Sequence, residues 1–400
     1  MHLYRVIMAV LLPVFLLRAL IRGEGARDLA QRLGFVPRGK VDLWLHGASN
    51  GELASARWVV VALMAARPGL TVQVTCNTLT ARAMVRGWQM AGVAASLAPL
   101  DTAGATARLL QRCRPRALIS LEGEVWPQRM ATCAAQGAAV LMLGARMSAR
   151  SARAWARVPT LAQAALSQVC FASAQDHASR DHLIGLGLNR AAVAPDFDLK
   201  AQAVAGLPRP DHMPRSDRAG WLLAASTHAG EDAAILDAFA TSGFAHLILA
   251  PRHPDRAPAI AALLSARGLS FAQRSRGAEP GAARVLLADT LGEMDRWYAL
   301  CGACIIGGSL VDKGGHTPWE PIRHACALLH GPSTRNFAAT FAALDAAQAA
   351  LAVTSDSLPT ALALLDGAAQ DRLANAAAPF LQASGDPQVL LDQIIAKSGL

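Results

Sequence analysis

Asp42 to Thr75 reads DLWLHGASNGELASARWVVVALMAARPGLTVQVT. The segment opens on a short apolar run over Asp42–Ala48 and turns through Ser49-Asn50-Gly51. It continues over Glu52–Ala66 with apolar residues at helical spacing, then returns to a second apolar run at Thr71–Thr75. Apolar runs without polar alternation predict strands buried on both faces. A strand–helix–strand order is the repeating unit of a parallel sheet covered by helices on both sides.

The same alternation extends along the chain. Further strands are predicted at Ala117–Leu121, Ala139–Leu143 and Val169–Ala172. A second series follows at Trp221–Ala225, His246–Ala250, Arg284–Ala288, Ala303–Ile306 and Ala327–His330. Helical windows such as Ala257–Arg267 lie between them. Between the two series, Ala201–Gly220 (AQAVAGLPRPDHMPRSDRAG) is rich in proline and charge and has no periodicity, as an interdomain linker would. The predicted architecture is α/β: two Rossmann-like domains, residues 23–200 and 221–400, joined by a linker at 201–220 and facing a cleft. A length of 400 residues suits two such domains.

Composition narrows the function. With 53% hydrophobic and 17% charged residues, the chain is not disordered, collagen-like or a disulfide-stapled miniprotein. A net charge of +9 points to an anionic partner: nucleic acid, a phosphorylated substrate or a membrane surface. Basic residues are not interleaved with aromatics, and tyrosine is limited to Tyr4 and Tyr298, so nucleic acid is not expected. The first forty residues hold seven basic against two acidic groups, beside the strongest apolar run, VIMAVLLPVFLL at Val6–Leu17, broken by Pro13. Twelve residues rise about 18 Å as a helix, short of a hydrocarbon core of roughly 30 Å. Extending the run to Leu3–Ile21 takes in Arg5 and Arg18, which can snorkel. No small-residue cleavage site follows, so residues 1–22 are expected to form a retained membrane-associated helix on an anionic membrane surface. The basic flank places the body on the cytoplasmic side.

Seven cysteines cannot all pair, and most lie in apolar segments. Cys301-Gly-Ala-Cys304 opens an apolar strand, so buried thiols are expected rather than a redox or zinc pair. The histidines lack metal-ligand spacing, and no metal is expected.

In open α/β sheets, ligands bind beyond the carboxyl ends of the strands. The unusual polar words fall there: HGASNGE (46–52), LEGEVWP (121–127), STHAGED (226–232), PRHP (251–254), DTLGE (289–293) and GGSLVDKGGHTPWEP (307–321). Glu52 stands in the first turn of a helix, with Ser49 or Asn50 as its cap, where the helix dipole favours a carboxylate. That suits a general base as well as plain capping. Glu122 and Glu124, read as extended backbone, point to one face beside Trp126. Arg252 and His253 look like an anion clamp. In the last word the glycines permit close backbone approach. A helix starting near Pro318 would aim N–H groups at a phosphate, and Thr317 and Glu320 have capping-box spacing. This word matches neither the P-loop nor the dinucleotide fingerprint.

Together these words resemble the Kdo (3-deoxy-D-manno-oct-2-ulosonic acid) transferase family of lipopolysaccharide synthesis. The resemblance runs from the N-terminal helix to about residue 340. It is most specific at E-x-E-x-WP (122–127), STH-x-GE (226–231), PRHP, DT-x-GE and GGSL…GGH-x-P-x-E (307–320), with GARMSARSARAWARV at 144–158 in support. It implies a GT-B fold that transfers Kdo from CMP-Kdo to a hydroxyl of a lipid A precursor. The anomeric centre is inverted without a metal or other cofactor, at the cytoplasmic face of the inner membrane. By position, Glu52 would be the general base and Glu122 would support the transition state. CMP would meet Pro251, Arg252, Leu291, Gly292, Glu293, Thr317, Pro318, Trp319 and Glu320. Further donor or acceptor contacts would come from Ser49, Gly51, Ser226, Thr227, His228, Gly308, Ser309, Lys313, Gly315 and His316.

Three positions depart from the family's pattern. Asn50 replaces valine before the base, Thr317 replaces asparagine, and a lysine expected near the end of the first domain is replaced in register by Asp198. Lys200 stands two residues on, where a strand would give it the same face. Two other readings stay open: a GT-B transferase for another sugar nucleotide or lipid acceptor, and a catalytically silent membrane-bound paralogue that binds lipid or a partner.

Overall fold

A computed structural model describes residues 1–205, 215–382 and 385–400. The chain divides into two compact units, one of Met1–Ala203 with Ser384–Leu400, the other of Val204–Ala383.

The first unit is built on a six-stranded sheet of β1 (Leu43–His46), β2 (Val72–Cys76), β3 (Val93–Leu97), β4 (Ala117–Leu121), β5 (Ala139–Ala145) and β6 (Val169–Ala174). The spatial order is β3-β2-β1-β4-β5-β6, and every pairing is parallel. Successive residues of a strand feed opposite faces. Leu43 and Leu45 join the core on one side, and Trp44 joins the core on the other. The order reverses between β1 and β4, which opens a crevice beyond their carboxyl ends. HGASNGE follows β1 and LEGEVWP follows β4, so two of the polar words flank that crevice.

The second unit holds β7 (Trp221–Thr227), β8 (His246–Pro251), β9 (Phe271–Gln273), β10 (Val285–Leu287), β11 (Ala303–Ile306), β12 (Ala327–His330) and β13 (Ala350–Ala352), ordered β13-β12-β11-β7-β8-β10-β9 and again parallel. Its reversal lies between β7 and β11. STHAGED and the glycine-rich word follow those two strands.

Three strands escape the sequence reading. β3 carries two alanines and is half-buried, and β9 and β13 are three-residue strands at the sheet edges. Such segments lack the continuous apolar signal of a central strand. The chain also returns at its end. Helix Pro387–Ser398 lays Leu390, Leu391 and Ile394 into the core of the first unit, and Arg116 Nη1 donates to Gly399 O at 3.0 Å. The last residues therefore belong with the first unit rather than with a domain running to residue 400. Of the expected linker, 206–214 lies outside the described residues. Its flanks are helical, at Leu199–Ala205 and Arg215–Arg218.

Helix α1 (His2–Ile21) is continuous through Pro13, which lies inside the helix instead of breaking the run. Met8 and Ala19 are buried against the unit, whereas Leu3, Val10, Leu17 and Ile21 are exposed. Near the start of α1, the Tyr4 hydroxyl donates to Asp101 at 2.7 Å and Arg5 Nε donates to Gln128 at 2.7 Å. Beyond its other end, Glu24 pairs with Arg32 of α2 (Ala26–Arg32) at 2.7 Å. Six of the seven thiols are buried and Cys170 is partly so, and all are free, Cys301 and Cys304 included.

Candidate active site

In the first unit, β1 delivers the chain to α3 (Asn50–Ala66), whose N-cap is Ser49. The Ser49 hydroxyl accepts from Glu52 N at 3.4 Å and donates to Glu52 Oε1 at 3.0 Å. Ala48 N–H donates to Oε2 at 2.7 Å. Capping and carboxylate positioning thus share the same groups. Partial burial pushes the Glu52 carboxyl up to about 7, helped by the negative charges of Glu122 and Glu124 and opposed by the Ala48 and Ser49 bonds.

Glu122 and Glu124 do not share an extended face. β4 ends at Leu121 and Glu122 adopts φ +47°, a left-handed conformation that costs a non-glycine residue of order 1–3 kcal/mol. The two carboxylates consequently meet different partners. Glu122 Oε1 pairs with Lys200 Nζ at 2.7 Å. Lys200 reaches it from the helix Leu199–Ala205, not from a strand, so the argument from strand alternation does not apply. Asp198 caps that helix by accepting from Lys200 N at 2.8 Å and Ala201 N at 3.1 Å.

Glu124 accepts from Trp126 Nε1 (2.7 Å), His46 Nε2 (3.1 Å) and Asn77 Nδ2 (3.4 Å). His46 is fully buried. Burial and the charge of Arg129 pull its pKa down to about 4 against the attraction of Glu124. It is therefore neutral, and facing a carboxylate it must carry its proton on Nε2. Its Nδ1 then accepts from the Thr75 hydroxyl at 3.0 Å, which itself accepts from Trp44 Nε1 at 2.8 Å. These bonds offset the burial of Glu124 and hold its carboxyl below the usual range. Neither glutamate caps the next helix, which begins at Pro127 with Trp126 as N-cap and no side-chain cap bond.

The second unit brings a different set together. Glu231 is fully buried, and its carboxylate accepts three backbone N–H groups: His228 at 2.7 Å, Gly308 at 2.7 Å and Leu310 at 3.0 Å. One side chain thereby ties the turn after β7 to the glycine-rich turn after β11. Gly307 could not bear a Cβ, which would lie 2.3 Å from Ser226 O, and Gly308 has φ +69°. His228 Nε2 and His316 Nε2 lie 2.9 Å apart with rings nearly parallel, and the His253 ring centroid is 5.8 Å from that of His228. Burial, then neighbouring cationic groups, lowers both pKa values, that of His316 to about 4. One neutral imidazole therefore donates to the other. Arg252 and Lys313 stay exposed beside them.

Other expected residues serve the scaffold. Ser309 is buried, with its hydroxyl bonded to Ile306 O and Gly331 N. Thr227 bonds Asp232 at 2.7 Å, and Ser226 has φ +57°. Pro251 and Trp319 are buried, and Gly315 N–H donates to Gly308 O at 2.9 Å. Glu293 is held by Arg274 at 2.8 Å, after Gly292 at φ +88° and an exposed Leu291. The helix Trp319–Arg323 is only five residues long, with Pro318 as N-cap. The Thr317 hydroxyl accepts from Trp319 N at 3.3 Å, so no capping box with the exposed Glu320 forms. Gly51, beside Ser49, is exposed. Among the described residues, no cluster of three or more His, Cys, Asp or Glu side chains is placed to hold a metal. Glu231 and His46 are not among the site residues expected from sequence although both lie in the quoted words, and the bonds of Glu124 to His46 and Asn77 are likewise unforeseen. A turn-tying carboxylate has no signature until the two turns are adjacent.

The family model for 3-deoxy-D-manno-octulosonic-acid transferase matches residues 27–203. The chain is 31% identical over 387 residues to a 3-deoxy-D-manno-octulosonic acid transferase of Haemophilus influenzae, covering 91% of this chain and 90% of that one. It is 34% identical over 337 residues to one of Bordetella pertussis, covering 80% and 77%. In fold it is similar to the UDP-GlcNAc 2-epimerase of Neisseria meningitidis (TM-score 0.61, 11% identity, 89% of this chain and all of that one). It is also similar to Acinetobacter baumannii MurG (TM-score 0.55, 12% identity, 90% of this chain and all of that one). The fold is GT-B.

Proposed function

The chain belongs to the 3-deoxy-D-manno-octulosonic acid (Kdo) transferase family, and from that premise we propose that it transfers Kdo from CMP-Kdo to a hydroxyl of a lipid A precursor with inversion. In one displacement, the acceptor oxygen bonds to the Kdo anomeric carbon as the bond from that carbon to the CMP phosphate breaks. The acceptor proton passes to Glu52, and the electron pair leaves with CMP. The observation that carries this reading is Glu52 itself, poised near neutrality at a helix N-terminus at the switch point of its sheet. Lys200 fills the role of the family's displaced lysine by pairing with Glu122. This pair places a positive charge on the acceptor side beside Glu122. In the second unit, Arg252, Lys313, His228 and His316 receive the donor's anionic groups, and Pro251, Leu291, Gly292, Glu293 and the Thr317–Glu320 segment frame the nucleotide. No resident metal or cofactor takes part.

The enzyme works at the cytoplasmic face of the inner membrane. α1 supports this reading: its outer side chains are apolar, while Tyr4 and Arg5 near its start and the buried Met8 and Ala19 hold it along the first unit. A helix held in that way lies in the membrane surface rather than crossing it. The experiment is an assay of CMP release with CMP-Kdo and tetraacylated lipid A precursor. Release dependent on both substrates is expected. No release above background, or release with a different sugar nucleotide only, sinks the assignment.

A further inference from the structure

Two turns at the carboxyl end of the second sheet are built onto each other. One follows β11 and carries Lys313-Gly314-Gly315-His316. The other follows β12 and runs Gly331-Pro332-Ser333-Thr334-Arg335-Asn336, outside the polar words quoted above. Every main-chain N–H from Lys313 to His316 is already spent. Lys313 N donates to Val311 O at 2.7 Å, Gly314 N to Ser333 Oγ at 2.9 Å, Gly315 N to Gly308 O at 2.9 Å and His316 N to Gly307 O at 3.1 Å. These glycines therefore form no cradle of N–H donors for a phosphate. What the turn offers an anion is the exposed Lys313 ammonium and the half-buried His316 ring, and each is placed only as well as the backbone beneath it. Gly314 and Gly315 have φ +87° and +69°, two adjacent left-handed glycines, the residue type with the most alternative conformations open to it.

Asn336 selects one of those conformations. Its Nδ2 donates to Lys313 O at 3.0 Å and to Gly315 O at 3.1 Å, so one amide bridges the carbonyls on either side of Gly314. Its main-chain N–H donates to Gly314 O at 2.9 Å, and the Ser333 hydroxyl accepts the Gly314 N–H. Three consecutive carbonyls and the central N–H of the first turn are thereby held by the second. The approach is close: a Cβ on Gly314 would lie 2.7 Å from Asn336 Nδ2. The second turn is anchored in its own right, because Ser333 N donates to Ser309 O at 2.9 Å and Gly331 N to the buried Ser309 hydroxyl at 2.7 Å.

We propose that Asn336, with Ser333, is a positioning residue for donor binding. It acts through the glycine turn, setting Lys313 and His316 to meet the anionic groups of the sugar nucleotide. The inference rests on the reading of the second crevice as the donor site and deepens it: side chains on a clamped turn, rather than backbone N–H groups, recognise the anion.

The test is steady-state CMP release by the full chain, with CMP-Kdo and the lipid A precursor varied in turn. Asn336→Ala should raise KM for CMP-Kdo about tenfold through loss of the bridging amide, while kcat and KM for the precursor stay within about twofold. Ser333→Ala should raise the donor KM less, and Ser333→Thr, which keeps the hydroxyl, should restore it. An unchanged donor KM in Asn336→Ala overturns the proposal. So does a fall in kcat alone, or a joint rise of both KM values, since neither is selective for the donor. If wild type itself releases no CMP, the transfer reading fails, and thermal shift with CMP then decides the positioning role separately. Stabilisation of wild type that Asn336→Ala loses upholds it. Equal stabilisation of both, or none of wild type, overturns it.

Discussion

The two sheet crevices carry opposite chemistry on the same topology. In the first unit, Glu52, Glu122 and Glu124 gather at the β1/β4 switch, and one of them is held near neutrality. In the second, His228, His253, His316, Arg252 and Lys313 gather at the β7/β11 switch, and burial with mutual repulsion keeps two of the imidazoles neutral. A carboxylate raised by burial and like charge is ready to take a proton. Neutral imidazoles beside fixed cations are ready to be charged by an arriving anion. Parallel sheets thus supply position, and the polar words supply polarity.

The sharpest way to break this contrast is Glu52→Gln. Turnover should fall roughly 10²–10⁴-fold with donor binding intact, as expected for loss of a general base. The substitution also has a stability signature. The folded pKa is raised, so the native state holds a proton that the unfolded chain releases, and stability falls as pH rises from about 4.5 to about 7. The glutamine variant should therefore lose this fall in thermal melts across that interval. Undiminished CMP release would remove Glu52 from its role.

Glu231→Ala tests whether the second crevice is as preorganised as the first. Three N–H groups, one buried and two partly buried, would lose their acceptor, costing about 3 kcal/mol in urea unfolding and weakening donor affinity. The third comparison is electrostatic. The acidic limb of kcat/KM should lie near pH 7, and Glu122→Gln should move it to lower pH by removing one of the charges that raise Glu52. An unmoved limb would separate the two carboxylates. Fourth, donor binding should take up protons at neutral pH, because an anion raises the lowered His228 and His316. Calorimetry in buffers of different ionisation heat would read this uptake. The smallest effect is Ser49→Ala, about 1 kcal/mol of lost capping, with the limb of the pH profile moving up as a bond to the Glu52 carboxylate disappears.

Much of this is legible in the sequence. The run from Asp42 to Thr75 yields strand, turn, capped helix and strand with bounds close to those found, because central strands buried on both faces and an N-capping serine leave local marks. Edge strands such as β9 leave none. The capping-box reading at Thr317 and Glu320 failed for a related reason. Spacing records which side chains can reach, but it does not record that a five-residue helix starts one residue later.

Two parallel α/β units, an apolar N-terminal helix, and the strand ends at which the chemistry collects are all readable from residue order. These follow from periodicity and from the rule that turns beyond strand ends stay polar. Folding alone brings Lys200 to Glu122 from a helix, lets Glu231 tie two turns separated by 77 residues, and closes the first core with the last helix. Each of these depends on groups brought together by packing across long stretches of chain. Local residue preferences carry no information about such distances, whereas burial and charge in the folded state depend on little else.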